Sequence, residues 1–278
     1  MGGVPARQAT AMPLETSRRR CVTASHNPPD ARQASSGRSN PTRDIEARVA
    51  ALDQETISDG LHVHGHALVA DFLSAQTCHE LVDLFDRPDI YRKTVSMARH
   101  RFGLGEYKYW SYPLPVPVSA MRAGLYPLLA PIANQWMHRL GEEHRYPETL
   151  SELRAECVRA GQSEPTPLIL KYGAGGHNTL HQDLYGEIFF PIQAAVFLTQ
   201  PHDDFTGGEF VLTEQVPRAQ AKATVLQPQR GDLLLFTTNF RPVRGRRGFY
   251  RAKMRHGVSE VRSGHRYTLG IIFHDAES

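Results

Sequence analysis

The feature that most constrains the fold is a change of pattern after Pro165, where short β-rich segments follow one another at close spacing. Turns rich in Gly or Pro separate them, for example at 173–176 and 228–231. The segments lie at 168–172, 189–198, 209–212, 223–227, 232–236 and 267–273. Many short strands at such spacing are typical of a sandwich, a barrel or a jelly roll.

The chain before this region has helical character. Apolar residues recur at helical spacing over 44–53 and 74–85, and Ser74 is a suitable N-cap for the second segment. A further helix is predicted over 149–160. Residues 119–140 are predicted to be helical with interruptions at Pro127 and Pro131.

Together these patterns predict an α+β protein with one domain over 44–278. A mainly helical N-terminal half, 44–165, is expected to pack against a β core, 166–278, and the sequence shows no internal repeat. Residues 1–43 differ in kind, because they contain seven arginines, two acidic residues and no aromatic residue. We expect this basic tail to be disordered. A flexible tail, a mis-assigned start and an organelle transit peptide remain open for it.

Composition narrows the class of protein. The 278 residues are 40% hydrophobic and 22% charged, as in ordinary globular proteins, and the net charge of +3 identifies no partner. Cys21, Cys78 and Cys157 lie far apart, which argues against a disulfide framework or a thiolate zinc site and favours a reducing compartment, the cytoplasm. No run approaches the roughly 18 apolar residues of a membrane span, so no membrane partner is expected.

The sequence His181-Gln182-Asp183 carries the first candidate chemistry. Alternate side chains of a strand share a face, with Cα atoms roughly 6.6 Å apart, so His181 and Asp183 can reach one ion. His256 is the candidate third ligand. Two histidines and one carboxylate leave positions open on iron(II) for a co-substrate and dioxygen. Three ligands and a water also describe catalytic zinc, so a zinc hydrolase remains an alternative.

A second match to the same spacing, His202-Asp203-Asp204, lies in a turn-like segment before Gly207 and Gly208. Side chains in a turn have no common face, and we therefore expect no metal there.

Arg266 and Thr268 form the second candidate constellation. On a strand their side chains point the same way, toward the interior of the predicted β core. A buried guanidinium is costly unless a carboxylate meets it, which the distal carboxylate of 2-oxoglutarate would do. The alternative is an exposed arginine on an edge strand.

These segments, in this order and spacing, resemble the iron(II)/2-oxoglutarate dioxygenases with a double-stranded β-helix (jelly roll) fold, specifically the prolyl-hydroxylase-like branch. The resemblance covers 168–275 and is carried by Tyr172 with its Gly-rich turn, His181-Gln-Asp183, Gly207-Gly-Glu-Phe-Val-Leu212, Gly231-Asp-Leu-Leu-Leu-Phe236, His256 and Arg266-x-Thr268. It implies iron ligation by His181, Asp183 and His256. It also implies 2-oxoglutarate binding by Arg266 with Tyr172 and Thr268, O2 as co-substrate, and ascorbate as a candidate reductant.

The chain from about Asp53 onward also resembles a bacterial subfamily described as AlkB-like, whose members oxidise alkyl groups on damaged nucleic acid. The tracts that carry this resemblance are Phe102-Gly-Leu-Gly-Glu-Tyr-Lys-Tyr-Trp110, 205–214 and 270–275. Two positions depart from the AlkB pattern: Ile272 stands where a second arginine is expected, and Leu170 where an asparagine is expected. The departures leave the substrate open.

A basic run over 241–255 bears on the substrate. It contains seven basic residues and no acidic one, and it leads directly into His256. We expect its charge to lie near the mouth of the site, where it could bind phosphates of a nucleic acid. A solvated basic loop is the alternative.

The predicted function is therefore a dioxygenase that hydroxylates a C–H bond. Oxidative demethylation of alkylated nucleic acid is one interpretation, and prolyl or small-molecule hydroxylation is the other. A β-barrel binding module without catalysis also remains open. Tyr107, Lys108 and Tyr109 are candidates for the wall of the substrate pocket.

Overall fold

The structure is a computed structural model that describes residues 41–277. The predicted tail over 1–43 thus lies almost entirely outside the described residues, and the first helix begins at Pro41 instead of Asp44. Within the described part the chain forms five α-helices: α1 (Pro41–Ala50), α2 (Gln54–His64), α3 (Ala75–Asp83), α4 (Val116–Arg139) and α5 (Leu150–Arg159).

The predicted N-cap of α3 is confirmed. The Ser74 hydroxyl accepts the Thr77 N–H at the start of α3. Thr149 and Glu152 form a reciprocal capping box that begins α5.

The same residues, 41–277, form seventeen strands: β1 (His66–Val69), β2 (Tyr91–Ser96), β3 (Gly103–Leu104), β4 (Glu106–Trp110), β5 (Gln162–Glu164), β6 (Leu168–Tyr172), β7 (His177–His181), β8 (Ile192–Phe197), β9 (Phe205–Gly207), β10 (Phe210–Gln215), β11 (Lys222–Leu226), β12 (Leu233–Thr237), β13 (Phe240–Gly245), β14 (Gly248–Val258), β15 (Val261–Gly264), β16 (Arg266–Ile271) and β17 (Ala276–Glu277).

Two antiparallel sheets hold most of these strands. The first has seven strands in the order β1-β12-β8-β16-β6-β4-β2. The second has the order β11-β10-β14-β7-β3, and β13 pairs with the first half of β14. The chain thus has the mixed helical and antiparallel content that was predicted, and all six predicted β segments contain a strand.

The apolar run of β12 shows why this strand lies at the centre of the fold. Leu233 and Leu235 face the helices, whereas Leu234 and Phe236 face the second sheet. A strand that is buried on both faces has no polar alternation in its sequence. The helices therefore cover one face of the first sheet, and the other face lies against the second sheet.

The N-terminal half is mainly helical, and it also contributes strands to the sheets. β1 pairs with β12, β4 pairs with β6, and β2 extends the sheet beyond β4. The physical reason is that the outer strands of a β core expose unpaired N–H and C=O groups. Segments from the N-terminal half satisfy them.

Helix α4 continues through Pro127 and Pro131, so the predicted interruption is wrong. A proline inside a helix costs about 3 kcal/mol. The buried face of α4 offsets this cost, because Leu125, Leu129 and Trp136 are fully buried.

Helix α4 is also long and apolar enough, by length and composition alone, to span a membrane, which the sequence was not expected to contain. Half of its most apolar stretch is buried inside the protein. Its Arg122 side chain, 1% exposed, forms an ion pair of 2.7 Å with Asp275. In this structure α4 packs as the core helix beneath the first sheet.

Candidate active site

Three predicted ligands meet at one point between the two sheets. His181 is the last residue of β7, Asp183 follows it in the loop, and β14 brings His256 opposite His181 in register. The Nε2 atoms of His181 and His256 lie 3.5 and 3.3 Å from the two Asp183 carboxylate oxygens. One ligand atom from each residue lies within 4.8 Å of the others, so the group could hold a metal ion.

The hydrogen bonds of His181 favour one tautomer. Its Nδ1 lies 2.8 Å from the Thr179 carbonyl oxygen, an arrangement in which Nδ1–H donates and Nε2 keeps its lone pair. The Asp183 carboxylate is oriented in turn by Tyr185, whose hydroxyl donates to Oδ1 at 2.8 Å. Tyr109 donates to the Tyr185 hydroxyl at 3.2 Å. The sequence indicated no role for Tyr185.

The electrostatics of the three side chains suit a cation. Burial alone would lower the pKa of His181, but the adjacent Asp183 carboxylate raises it. Burial alone would raise the pKa of Asp183, but the two histidines hold it well below its usual value. Burial and the neighbouring His181 lower the pKa of His256. An ionised carboxylate and a neutral imidazole are the forms that bind metals.

Arg266 lies in the same cavity and is only 2% exposed, which excludes the alternative of an exposed edge-strand arginine. Its Nη1 donates to the Thr268 hydroxyl at 2.7 Å, and its Nε has no partner among the described residues. No carboxylate within the described part of the chain forms an ion pair with it. Burial lowers the pKa of Arg266 to about 10. A buried, charged donor without an anion is a suitable site for a carboxylate ligand.

Tyr172 lies beside Arg266. The guanidinium carbon is 5.5 Å from the centre of the Tyr172 ring, and Asn178 donates to the Tyr172 hydroxyl at 3.3 Å. Burial raises the pKa of Tyr172 to about 12, so its hydroxyl keeps its proton and can donate. The structure thus brings all six predicted site residues into one cavity.

This cavity of about 300 Å³ lies between the two sheets. Tyr107 and Tyr109 line the cavity as expected. Lys108 does not line it, and its ammonium group donates a hydrogen bond to the Phe85 carbonyl oxygen. Gln193 also lines the cavity and has a buried Nε2 without a partner in the described residues. No motif in the sequence singled it out.

The second candidate histidine lies elsewhere. His202 lies in an exposed turn with φ of 73° and belongs to no metal-binding group among the described residues.

The basic run does not lie at the mouth of the cavity, so that expectation is wrong. It forms the β13–β14 hairpin, in which Lys253 and Arg255 are exposed and alternate with the buried Met254 and His256. Because neighbours on a strand face opposite ways, these basic side chains point away from the cavity. Arg241 is not free either, since it is buried against Glu214 at 2.6 Å.

Comparisons with known proteins agree with this geometry. Residues 105–276 match the model of the Oxygenase-NA family, described as an oxygenase catalysing oxidative methylation of damaged DNA. Two uncharacterized proteins of Mycobacterium tuberculosis, from different strains, are each 49% identical to this chain over 164 residues, 59% of this chain and 70% of theirs.

Solved structures share the fold. A prolyl-4-hydroxylase of Pseudomonas putida superposes with a TM-score of 0.51 at 16% identity, over 81% of this chain and all of that one. A 2OG-Fe(II) oxygenase family oxidoreductase of Burkholderia pseudomallei gives a TM-score of 0.50 at 14% identity, over 82% and 95% of the two chains. This chain therefore belongs to the Oxygenase-NA family, a family of oxygenases.

Proposed function

We propose that this chain is an iron(II)- and 2-oxoglutarate-dependent dioxygenase. In this proposal His181, Asp183 and His256 hold the iron, and Arg266, assisted by Thr268 and Tyr172, binds the distal carboxylate of 2-oxoglutarate. The observation that carries this proposal is a buried arginine without an ion-pair partner in the same cavity as the three ligands. Two imidazoles and one carboxylate suit iron(II) and leave coordination positions open. A zinc hydrolase would leave the buried Arg266 without a purpose.

The strand order supports a double-stranded β-helix for this core. Successive long strands alternate between the sheets: β6 lies in the first, β7 in the second, and β8 in the first again. We assign residues 44–278 to one dioxygenase domain, with the jelly roll in 166–278. The free, buried thiols of Cys78 and Cys157 support the cytoplasm as its compartment.

When bound, iron(II) and 2-oxoglutarate supply the oxidation of a substrate C–H bond by O2, with succinate and carbon dioxide as co-products. The chain contributes position and charge. Arg266 orients the co-substrate along the cavity, and Tyr185 fixes the rotation of the Asp183 carboxylate. The apolar walls formed by Phe210, Phe236 and Ile272 exclude water.

Alkylated nucleic acid is the substrate class that the description of the family favours. Hydroxylation of an N-methyl carbon there would release formaldehyde and leave the demethylated amine. The fold shared with a prolyl-4-hydroxylase keeps peptide or small-molecule hydroxylation as the second candidate. Succinate release across alkylated oligonucleotides, proline-containing peptides and free amino acids would identify the class.

The site assignment is tested by metal analysis after anaerobic purification. His181→Ala and Asp183→Ala should each lose bound iron and succinate release while the far-UV circular dichroism spectrum is retained. His202→Ala, the matched control at the other His-x-Asp sequence, should retain both. Zinc in the active protein, or loss of activity in His202→Ala alone, would contradict the assignment.

A further inference from the structure

Gln193 is a buried polar side chain that the proposed iron and co-substrate sites do not use. It is the second residue of β8, is 2% exposed, and lines the cavity between the sheets. Its Nε2 has no hydrogen-bond partner among the described residues. A buried donor without a partner destabilises a folded chain, so its presence in a cavity points to a ligand that accepts the hydrogen bond.

The sheet register places Gln193 away from the co-substrate end of the cavity. Phe197 is paired with Thr268, and Gln193 lies four residues earlier on β8, roughly 13 Å along the strand. In the register of the sheet Gln193 is opposite Phe236 of β12, and the Phe236 ring lies 4.9 Å from the ring of His256. Gln193 is therefore at the level of the candidate metal ligands, at the end of the cavity opposite Arg266.

Aromatic side chains connect the cavity to an adjoining groove. Phe102, Tyr107, Tyr109 and Tyr185, which we name the aromatic neck, line both the cavity and an adjoining outer groove of about 600 Å³. The rings of Tyr107 and Tyr109 meet edge to face at 5.4 Å, and those of Tyr109 and Tyr185 at 6.1 Å. Walls of this kind favour a flat ring that can pack against them.

The outer groove adds charge to this arrangement. Arg92, Lys93 and His100 line it, together with the acidic Glu277. Arg92 is held by the Pro165 carbonyl oxygen and by Glu164, whereas Lys93 is exposed and has no ion-pair partner in the described part of the chain. An anionic group attached to the flat ring could remain in this groove.

We propose that Gln193 is a specificity-determining residue that donates its amide N–H to a carbonyl oxygen or ring nitrogen of a planar heteroaromatic group inserted through the aromatic neck. The inference rests on the proposed function, because it takes the three ligands as the oxidising centre. A saturated pyrrolidine ring, as in a prolyl substrate, carries no acceptor on its ring carbons and would leave Nε2 unpaired. A primary amide also matches the edge of a heteroaromatic ring, which presents donors and acceptors in one plane.

The test uses the full chain without metal and two small probes that differ in the acceptor. 2-Pyridone is a flat ring with a carbonyl oxygen, and benzene is its apolar counterpart. Saturation-transfer NMR titrations give the Kd of each probe. In Gln193→Leu the Kd of 2-pyridone should rise roughly three- to tenfold, the range expected for one lost hydrogen bond, and the Kd of benzene should not rise.

Thr237→Val is the matched control. It also removes a buried hydroxyl that has no partner among the described residues, on the neighbouring strand β12, but Thr237 does not line the cavity. It should leave both Kd values unchanged. Gln193→Met repeats the test with an unbranched side chain of similar length and serves if the leucine variant does not fold. An equal Kd for 2-pyridone in all four proteins, or an equal rise for benzene, would overturn the proposal.

A separate measurement distinguishes this inference from the proposed function. Calorimetric titration of Mn(II), and then of 2-oxoglutarate, should give the same affinities in wild type and Gln193→Leu within about twofold. A large loss in the variant would assign Gln193 to the metal or co-substrate site and overturn its role toward substrate. Absence of binding in the wild type would instead contradict the proposed function, and the metal-free probe titrations would still decide the role of Gln193.

Discussion

Arg266 carries a buried positive charge that no carboxylate of the described residues neutralises. It is buried, hydrogen-bonded to Thr268 and without a carboxylate partner in the described residues. A buried charge without a partner is destabilising until an anion pairs with it. The energetic role of Arg266 is therefore expected to appear on co-substrate binding.

Replacing Arg266 with glutamine should weaken 2-oxoglutarate binding with little effect on the metal. Removing one partner of a buried charged pair costs about 3 to 5 kcal/mol, on the order of a hundred- to a few-thousandfold in affinity. Calorimetric titration of the Mn(II) protein with 2-oxoglutarate measures this affinity. The control is Arg262→Gln, because the Arg262 side chain is largely exposed. An unchanged affinity in Arg266→Gln would show that Arg266 does not bind 2-oxoglutarate.

Tyr185 tests the orientation of a metal ligand. Burial and the adjacent Asp183 raise the pKa of Tyr185 well above its usual value, so the hydroxyl remains a donor to Asp183. Tyr185→Phe should weaken Mn(II) binding by about tenfold, because partners of metal ligands typically contribute that much. The Tyr109 hydroxyl donates to Tyr185 and not to Asp183, so Tyr109→Phe should weaken Mn(II) binding less. Equal affinities in Tyr185→Phe and wild type would show that the hydrogen bond does not orient the ligand.

In the β13–β14 hairpin, a candidate metal ligand and the basic residues beside it in the sequence lie on opposite faces of the sheet. His256 faces the cavity, and the basic residues next to it face outward. A strand delivers one ligand inward and presents its charges on the other face of the sheet. Any contact of this hairpin with nucleic acid would therefore involve phosphates, not the group that is oxidised.

The tip of the hairpin offers a direct test of such contact. Arg246 and Arg247 are exposed, and no ion pair involves them within residues 41–277. If each contacts a phosphate of single-stranded DNA, their reversal to glutamate should lower the slope of log K against log salt by roughly 1.4. Fluorescence anisotropy at several salt concentrations measures the slope. Arg159→Glu, at the exposed end of α5, is the control, and an unchanged slope in the tip variant would exclude this role.

At the level of the whole molecule, the buried His274 is expected to make the free energy of unfolding depend on pH. It is fully buried, its Nδ1 accepts the Phe190 N–H at 3.1 Å, and burial lowers its pKa to about 3. Near pH 6.5 and below, the unfolded chain binds a proton at this histidine and the folded chain does not. Stability should therefore fall as the pH falls from 6.5 toward 3.

Urea unfolding at pH 7 and pH 5 checks this effect. The contribution of one such histidine is about 1 to 2 kcal/mol of lost stability between these values. Glutamine can accept the same hydrogen bond without titrating, so His274→Gln should lose less stability over the same interval. Equal losses in wild type and variant would show that His274 is not the responsible group.

The strands that could be predicted share one property: they are apolar on at least one face. β6 has the predicted bounds, and β12 is displaced by a single residue. The β13–β14 hairpin was not predicted, because few of its residues are apolar and its buried face in 250–255 depends on Ala252 and Met254 alone. The prediction of α4 was wrong at Pro127 and Pro131. The free energy gained by burying one face of this helix outweighs the low helix propensity of the two prolines.

The candidate ligands could be predicted from the amino-acid sequence. The period of a β-strand places His181 with Asp183, and Arg266 with Thr268, on a common face, whereas the family resemblance implied the full set with His256. The other residues of the cavity became evident from the folded arrangement of the strands. Tyr185 reaches Asp183, Gln193 faces the cavity, and Arg255 turns away from it, since these contacts depend on the pairing of strands that are distant in the chain.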